Sequence, residues 1–215
     1  MVVRATGVLK RYRDVVAVDH VDLEIQVGEI LGLLGPNGAG KTTAINGIIG
    51  LTSFDAGEVS VFGRTSKRVD RDTRRRIGLV PQEIAVFDDL TAEENVSYFG
   101  QLYGLGGSAL AEGVRYALEF TGLTDRSRQK PKSFSGGMKR RLNIACAVVH
   151  RPKLVIMDEP TVGIDPQSRN HILESVRALQ REGATIVYTS HYMEEVEAVR
   201  SEEHTSELQS HAPIS

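Results

Sequence analysis

The chain has little of what would take it out of the ordinary globular class. Its single cysteine, Cys146, excludes an internal disulfide framework and fits a reducing compartment. No apolar run approaches the roughly 20 residues needed to cross a bilayer. Runs such as Ile30 to Leu34 are the size of a strand, so a membrane role would need spanning helices from another chain. The N-terminus has no basic segment followed by an apolar stretch, and no secretory leader is expected. Charge of one sign is also missing. A formal net charge of -2 gives neither the basic field of a nucleic-acid binder nor an acidic field for a basic partner. Internal repeats and low-complexity linkers are absent as well.

What is present is enough for one α/β domain. Length 215, with 40% apolar and 25% charged residues, allows one sizeable core and is short for two. Val15, Ala17, Val21, Leu23 and Ile25 alternate with polar residues and predict half-buried strands. Ile30–Leu34, bounded by glycines, predicts a buried parallel strand, followed by a glycine-rich loop and a helix from about Lys41 to Gly50. Val59, Val61 and Ile77–Val80 predict further strands, and helical patterns dominate from Asp88 to about Arg151. Leu154–Met157 and Ile186–Thr189 predict two more buried strands, with helix periodicity between them at Ile172, Val176 and Leu179. Strands separated by helices imply a parallel sheet covered on both faces.

Two motifs carry chemistry. Gly35-Pro-Asn37-Gly38-Ala-Gly40-Lys41-Thr42 fits G-x-x-x-x-G-K-[ST] between a predicted strand and a predicted helix. Glycines let backbone N–H groups turn inward around phosphates, and the helix start adds positive potential. Lys41 can reach β and γ oxygens, the Thr42 hydroxyl can bind Mg²⁺, and Thr43 can add a hydrogen bond to phosphate. The second motif is Asp158-Glu159, closing an apolar strand. There Asp158 can hold Mg²⁺ and Glu159 can polarise an attacking water. Together they imply a P-loop nucleotidase.

A third motif narrows the class. Ser135-Gly136-Gly137 opens a helix with Met138, Leu142, Ala145 and Val149 as its expected apolar face, and its bare N–H groups suggest a second anion site. Phe134-Ser-Gly-Gly-Met138 resembles the signature of ABC ATPases, whose commonest form is LSGGQ. The resemblance covers residues 1 to about 199, with several motifs in order. It implies a P-loop fold of the ABC type: a mostly parallel core sheet, an N-terminal antiparallel β subdomain and a helical subdomain at about 88–151. It further implies that Tyr12 stacks on adenine and that Gln82 touches Mg²⁺ and senses a membrane partner. Asp165 in Gly163-Ile-Asp165-Pro would join two subunits, and His191 would contact the γ-phosphate. Met138, where glutamine is usual, receives no ligand role.

By the same resemblance the chain would bind ATP and Mg²⁺. It would hydrolyse ATP as a head-to-tail dimer with a second copy or a related subunit. That cycle would power a separate transmembrane permease, most like the ABC-2 exporters, from the cytoplasmic face of the membrane. The alternative is a non-transport ABC ATPase acting on nucleic acid or ribosomes. DNA-repair relatives carry a long coiled coil that this chain lacks, and ribosome-associated relatives carry two cassettes. The basic runs Arg74–Arg76 and Lys139–Arg141 are expected to be solvated helix faces, so no direct nucleic-acid contact is expected.

Residues 200–215 stand apart. Arg200 to Ser210 reads RSEEHTSELQS, without apolar periodicity, and resembles the translation of a common short-read sequencing adapter. A non-native, disordered tail on a C-terminally truncated cassette is expected there. Setting it aside removes Glu202, Glu203 and Glu207 and leaves the chain near neutrality. Resequencing the gene with adapter bases trimmed should show the frame running past Val199 into further α/β sequence. A genomic RSEEHTSELQS before a stop codon would overturn that reading.

Overall fold

The computed structural model describes residues 1–36, 38–65 and 69–200. Asn37 and the tail from 201 to 215, both subjects of expectations above, lie outside the described residues.

Two sheets form the frame. β1 (Val3–Tyr12), β2 (Val15–Ile25), β4 (Ala56–Val61) and β5 (Arg64–Thr65) make an antiparallel sheet in the order β2-β1-β4-β5. Val3, Ala5 and Val8 of β1 turn inward while the residues between them reach solvent or its margin, the period-two pattern of a sheet wet on one face. The second sheet joins β3 (Ile30–Leu34), β6 (Ile77–Val80), β7 (Leu154–Met157) and β8 (Thr185–Ser190) in the order β3-β8-β7-β6, every pair parallel. The expected architecture, an antiparallel β unit beside a parallel core, is what the chain adopts.

Helices cover both faces of the parallel sheet: α1 (Lys41–Ile48), α3 (Ala92–Leu102), α4 (Gly107–Phe120), α5 (Gly136–Val148), α6 (Pro166–Arg181) and α7 (Met193–Val199). A short turn of helix, α2 (Arg71–Arg74), precedes β6. Every residue of β7 is buried because its two faces feed two cores. Val155 and Met157 pack with α3, α4, α5 and α6, while Leu154 and Ile156 pack with α1 and the antiparallel sheet. Helix starts follow from local chemistry. Thr91 and Glu94 form a reciprocal capping box at α3, Ser135 accepts from the Met138 N–H at α5, and Asp165 accepts from the Ser168 N–H at α6.

Two expectations need correction at α5. The apolar stripe Met138, Leu142, Ala145, Val149 is too narrow: every residue from Leu142 to Val149 is buried, because the helix lies between the sheet and α3, α4 and α6. The run Lys139–Arg141 is not a solvated face. Lys139 pairs with Asp88 at 3.0 Å, Arg141 donates to the Thr121 and Gly122 carbonyls, and Arg140 is only 3% exposed. Arg74–Arg76 are exposed, as expected.

His150, just past α5, stacks on Tyr103 with ring centroids 3.5 Å apart and donates from Nε2 to the Ile77 carbonyl at 3.2 Å. Burial lowers its pKa from 6.5 to about 4. Its folded pKa lies below the unfolded one, so its stabilisation is complete above about pH 6.5 and is lost as pH falls toward 4. The loss should reach on the order of 3 kcal/mol. Urea melts of wild type and His150→Phe across this window should show a flatter pH dependence for the variant; equal slopes would contradict the assignment.

Candidate functional site

A parallel sheet sends all its strand ends to one edge, and that edge collects the polar residues that the sequence singles out. β3 runs into the Gly35–Thr42 loop, β8 into His191, β7 into Asp158-Glu159, and β6 into Gln82. Registers fix the alignment: Leu34 sits opposite Ser190, Met157 opposite Tyr188, and Val80 opposite Met157. The result is an open cleft of about 230 Å³ lined by Gly38, Gly40, Lys41, Thr42, Gln82 and Glu159 among others, with Ala17 of β2 beside Gly40.

The loop geometry demands glycine at position 40. Its φ is +80°, and a Cβ there would fall 1.9 Å from the Ala17 carbonyl oxygen. With Gly38 at +84°, the chain curls so that α1 starts at the cleft with free N–H groups. Lys41, first in α1, is 8% exposed, and its ammonium donates to the Gly35 and Pro36 carbonyls at 2.5 and 3.0 Å. Glu159 Oε1 stands 3.3 Å from the same nitrogen.

Asp158 and Glu159 are held differently. Asp158 Oδ2 accepts from the Thr42 hydroxyl at 2.8 Å, and Oδ1 accepts from the Thr189 hydroxyl at 2.7 Å. The same Thr189 oxygen accepts the Glu159 N–H at 2.8 Å. Glu159 has φ +48°, an uncommon conformation for a residue with a long side chain, and such strain persists only where the surroundings fix it. Its Oε2 lies 2.7 Å from His191 Nε2. Both atoms are buried, and neither has a hydrogen-bonded partner among the described residues. His191 Nδ1 is 2.8 Å from the Gly35 carbonyl and 3.3 Å from Lys41 Nζ. Glu159 lines the cleft, with the His191 ring in contact with its carboxyl.

These residues suit a magnesium nucleotide. Glycine N–H groups, a helix start and a lysine match phosphate, and the adjacent Thr42 and Asp158 oxygens match a hard cation. Among the described residues no cluster of three or more His, Cys, Asp or Glu could hold a metal alone. A Mg²⁺ ion here would take its other ligands from phosphate and water.

The remaining predicted residues fall in two places. Tyr12 is exposed at the end of β1, in the hairpin whose β2 strand carries Ala17, with Lys10 Nζ 5.3 Å from its ring centre. Ser135, Gly136 and Gly137 form the N-terminus of α5 and contribute nothing to this chain's own cleft lining. Gly137 abuts α6: a Cβ on it would sit 2.0 Å from Ser168 Oγ and 3.3 Å from Asp165 Oδ2. Asp165 itself caps α6, and the Ser168 N–H holds its carboxyl below the usual carboxylate range. Thr189 was missed by sequence reading, since a threonine inside a strand carries no motif. Its distance of two residues from His191 was the one available hint.

The fold and this edge define a P-loop nucleotide-binding domain. A profile described as ABC transporter matches residues 18–162, two thirds of the chain. The chain belongs to the ABC transporter family. It is 50% identical over 194 residues to the linearmycin resistance ATP-binding protein LnrL of Bacillus subtilis, covering 90% of this chain and 62% of that protein. It is 43% identical over 196 residues to the Nod factor export ATP-binding protein I of Cupriavidus metallidurans, covering 91% and 65%. The chain thus spans less than two thirds of these curated relatives. Among solved structures, an ATP-binding subunit of an ABC transporter superposes with a TM-score of 0.81 at 29% identity, covering 92% of this chain and 82% of that one. The dimeric ABC transporter cassette MJ0796 superposes with a TM-score of 0.82 at 28% identity, covering 91% and 90%.

Thr189→Val keeps the shape but removes both hydrogen bonds and strands the buried Glu159 N–H. Chemical denaturation should register a loss of about 1–3 kcal/mol, with Thr189→Ser close to wild type. An unchanged midpoint for the valine variant would show that the hydroxyl is dispensable.

Proposed function

We propose that the chain binds ATP with Mg²⁺ and hydrolyses it as half of a head-to-tail dimer, and that this cycle drives export through a separate transmembrane permease. The observation that carries the reading is the convergence of Lys41, Thr42, Asp158, Glu159 and His191 at one sheet edge within hydrogen-bond or ion-pair reach of one another. Residues 1–199 would be the ATP-binding domain, with a helical subdomain at about 88–151.

The roles follow from chemistry. Backbone N–H groups at Gly38 and Gly40 and the Lys41 ammonium bind the phosphates, with Thr43 beside them. Thr42, Asp158 and Gln82 would hold Mg²⁺, which when bound would neutralise charge on the phosphate oxygens. Glu159 orients water against the γ-phosphate and accepts its proton, and His191 donates toward the γ oxygens. Tyr12 offers its exposed ring to adenine. Ser135, Gly136 and Gly137 supply the second anion site, presented to the ATP of the partner copy, and Asp165 lies at the joint. A C2 pair makes both sites equivalent, so bound ATP bridges the dimer and hydrolysis releases it.

The partner is a second copy or a related ATPase subunit, as the dimeric MJ0796 cassette supports. Among the described residues no helix is long and apolar enough to cross a membrane. The permease would hold the chain at the cytoplasmic membrane face. Relatives named for resistance and for export support that direction. A nucleic-acid role gains nothing from Lys139–Arg141, whose side chains are tied to Asp88 and to backbone carbonyls.

Glu159→Gln should bind ATP, accumulate as a dimer by size-exclusion chromatography, and turn over about 100-fold or more slowly. Lys41→Ala is its control, with ATP affinity down about 10- to 100-fold. A Glu159→Gln protein that stays monomeric at saturating ATP would count against the dimer cycle.

A further inference from the structure

Arg140 has a costly position. It is 3% exposed, one turn into α5, where the helix dipole disfavours a cation. Its hydrogen bonds go to backbone carbonyls and not to a carboxylate: 2.8 Å to Pro81 O and 2.6 Å to Gln82 O. Its Nε is buried without a hydrogen-bonded partner. One turn further, Asn143 accepts from the Ala85 N–H at 3.2 Å and approaches the Glu83 carbonyl at 3.5 Å. The backbone of residues 81–85 is therefore held by side chains of α5. A planar guanidinium gripping two successive carbonyls fixes their direction as well as their distance, which a lysine cannot do. From Leu142 to Val149 α5 is buried, so Arg140 rides on a helix packed along most of its length. Gln82 lines the cleft at the other end of this grip.

We propose that Arg140, supported by Asn143, is a positioning residue that couples Gln82 to the N-terminus of α5. An ATP bound at Ser135–Gly137 thereby sets the placement of Gln82 in the same chain's own cleft. The inference rests on the head-to-tail reading above. It adds the physical link through which one ATP site reports to the other: the partner's nucleotide moves α5, α5 carries the Arg140 fork, and the fork carries Gln82.

The chain contains no tryptophan, so one placed at Ile84, 37% exposed within the gripped loop, is a clean reporter. In Ile84→Trp/Glu159→Gln, ATP should produce a dimer and shift the emission of the reporter. Adding Arg140→Met should leave the dimer and monomer nucleotide affinity intact while abolishing the emission shift. Arg140→Lys, which keeps the charge but loses the fork, should fall between. An Arg140→Met protein whose emission shift matches its parent overturns the coupling and leaves the dimer reading standing. One that loses nucleotide affinity as a monomer reduces Arg140 to a packing role and also overturns it. A parent that fails to dimerise removes the head-to-tail reading and the coupling together.

Discussion

Parallel pairing of four short strands is the constraint on which the rest depends. Parallel strands must return by crossovers, so each strand end at the carboxyl edge launches a loop into the same region. In this chain the four loops begin at Leu34, Val80, Met157 and Ser190, and each brings one part of the cleft. The helices of the two faces exist in part to bury what the crossovers require. β7 can be apolar throughout, and β8 buried throughout, only because both of their sides are covered. A register slip by one residue would turn Asp158 and Glu159 to the wrong places and bury the wrong faces at the same time.

Within that edge, order is imposed by groups that do no chemistry themselves. Thr189 gives one hydroxyl to both acids: it donates to the Asp158 carboxylate and accepts the Glu159 N–H. Glu195 on α7 does something similar one layer back. It accepts the Thr161 and Ser190 hydroxyls at 2.7 Å each, tying the turn after Glu159 to the residue before His191. The strained backbone of Glu159 is tolerable because both flanks of the turn are pinned.

The legibility of the sequence followed the size of the physical signal. Apolar runs and glycine-bounded loops mark buried parallel strands strongly, and Leu154–Met157 was readable to the residue. The phosphate loop and the two acids were readable because spacing and context restrict them. Arg140 was not. A basic residue in a run reads as solvent-facing, and its burial depends on carbonyls roughly 60 positions away, as the separations from Pro81 and Gln82 show. The breadth of α5 burial escaped for the same reason. Periodicity reports one neighbour well, but this helix is sandwiched between a sheet and three helices. Thr189 acts through a hydroxyl in a strand, where threonine is ordinary.

The two adjacent glycines at the start of α5 are held by different masters. At Gly137 a methyl group would collide with Ser168, whereas at Gly136 it would meet open space. Drift at 137 is thus barred by the chain's own fold, and would be barred in a copy that had lost every binding partner. Drift at 136 meets no such steric veto within the molecule. In a lineage released from nucleotide duty, position 136 would be the first of the pair to wander.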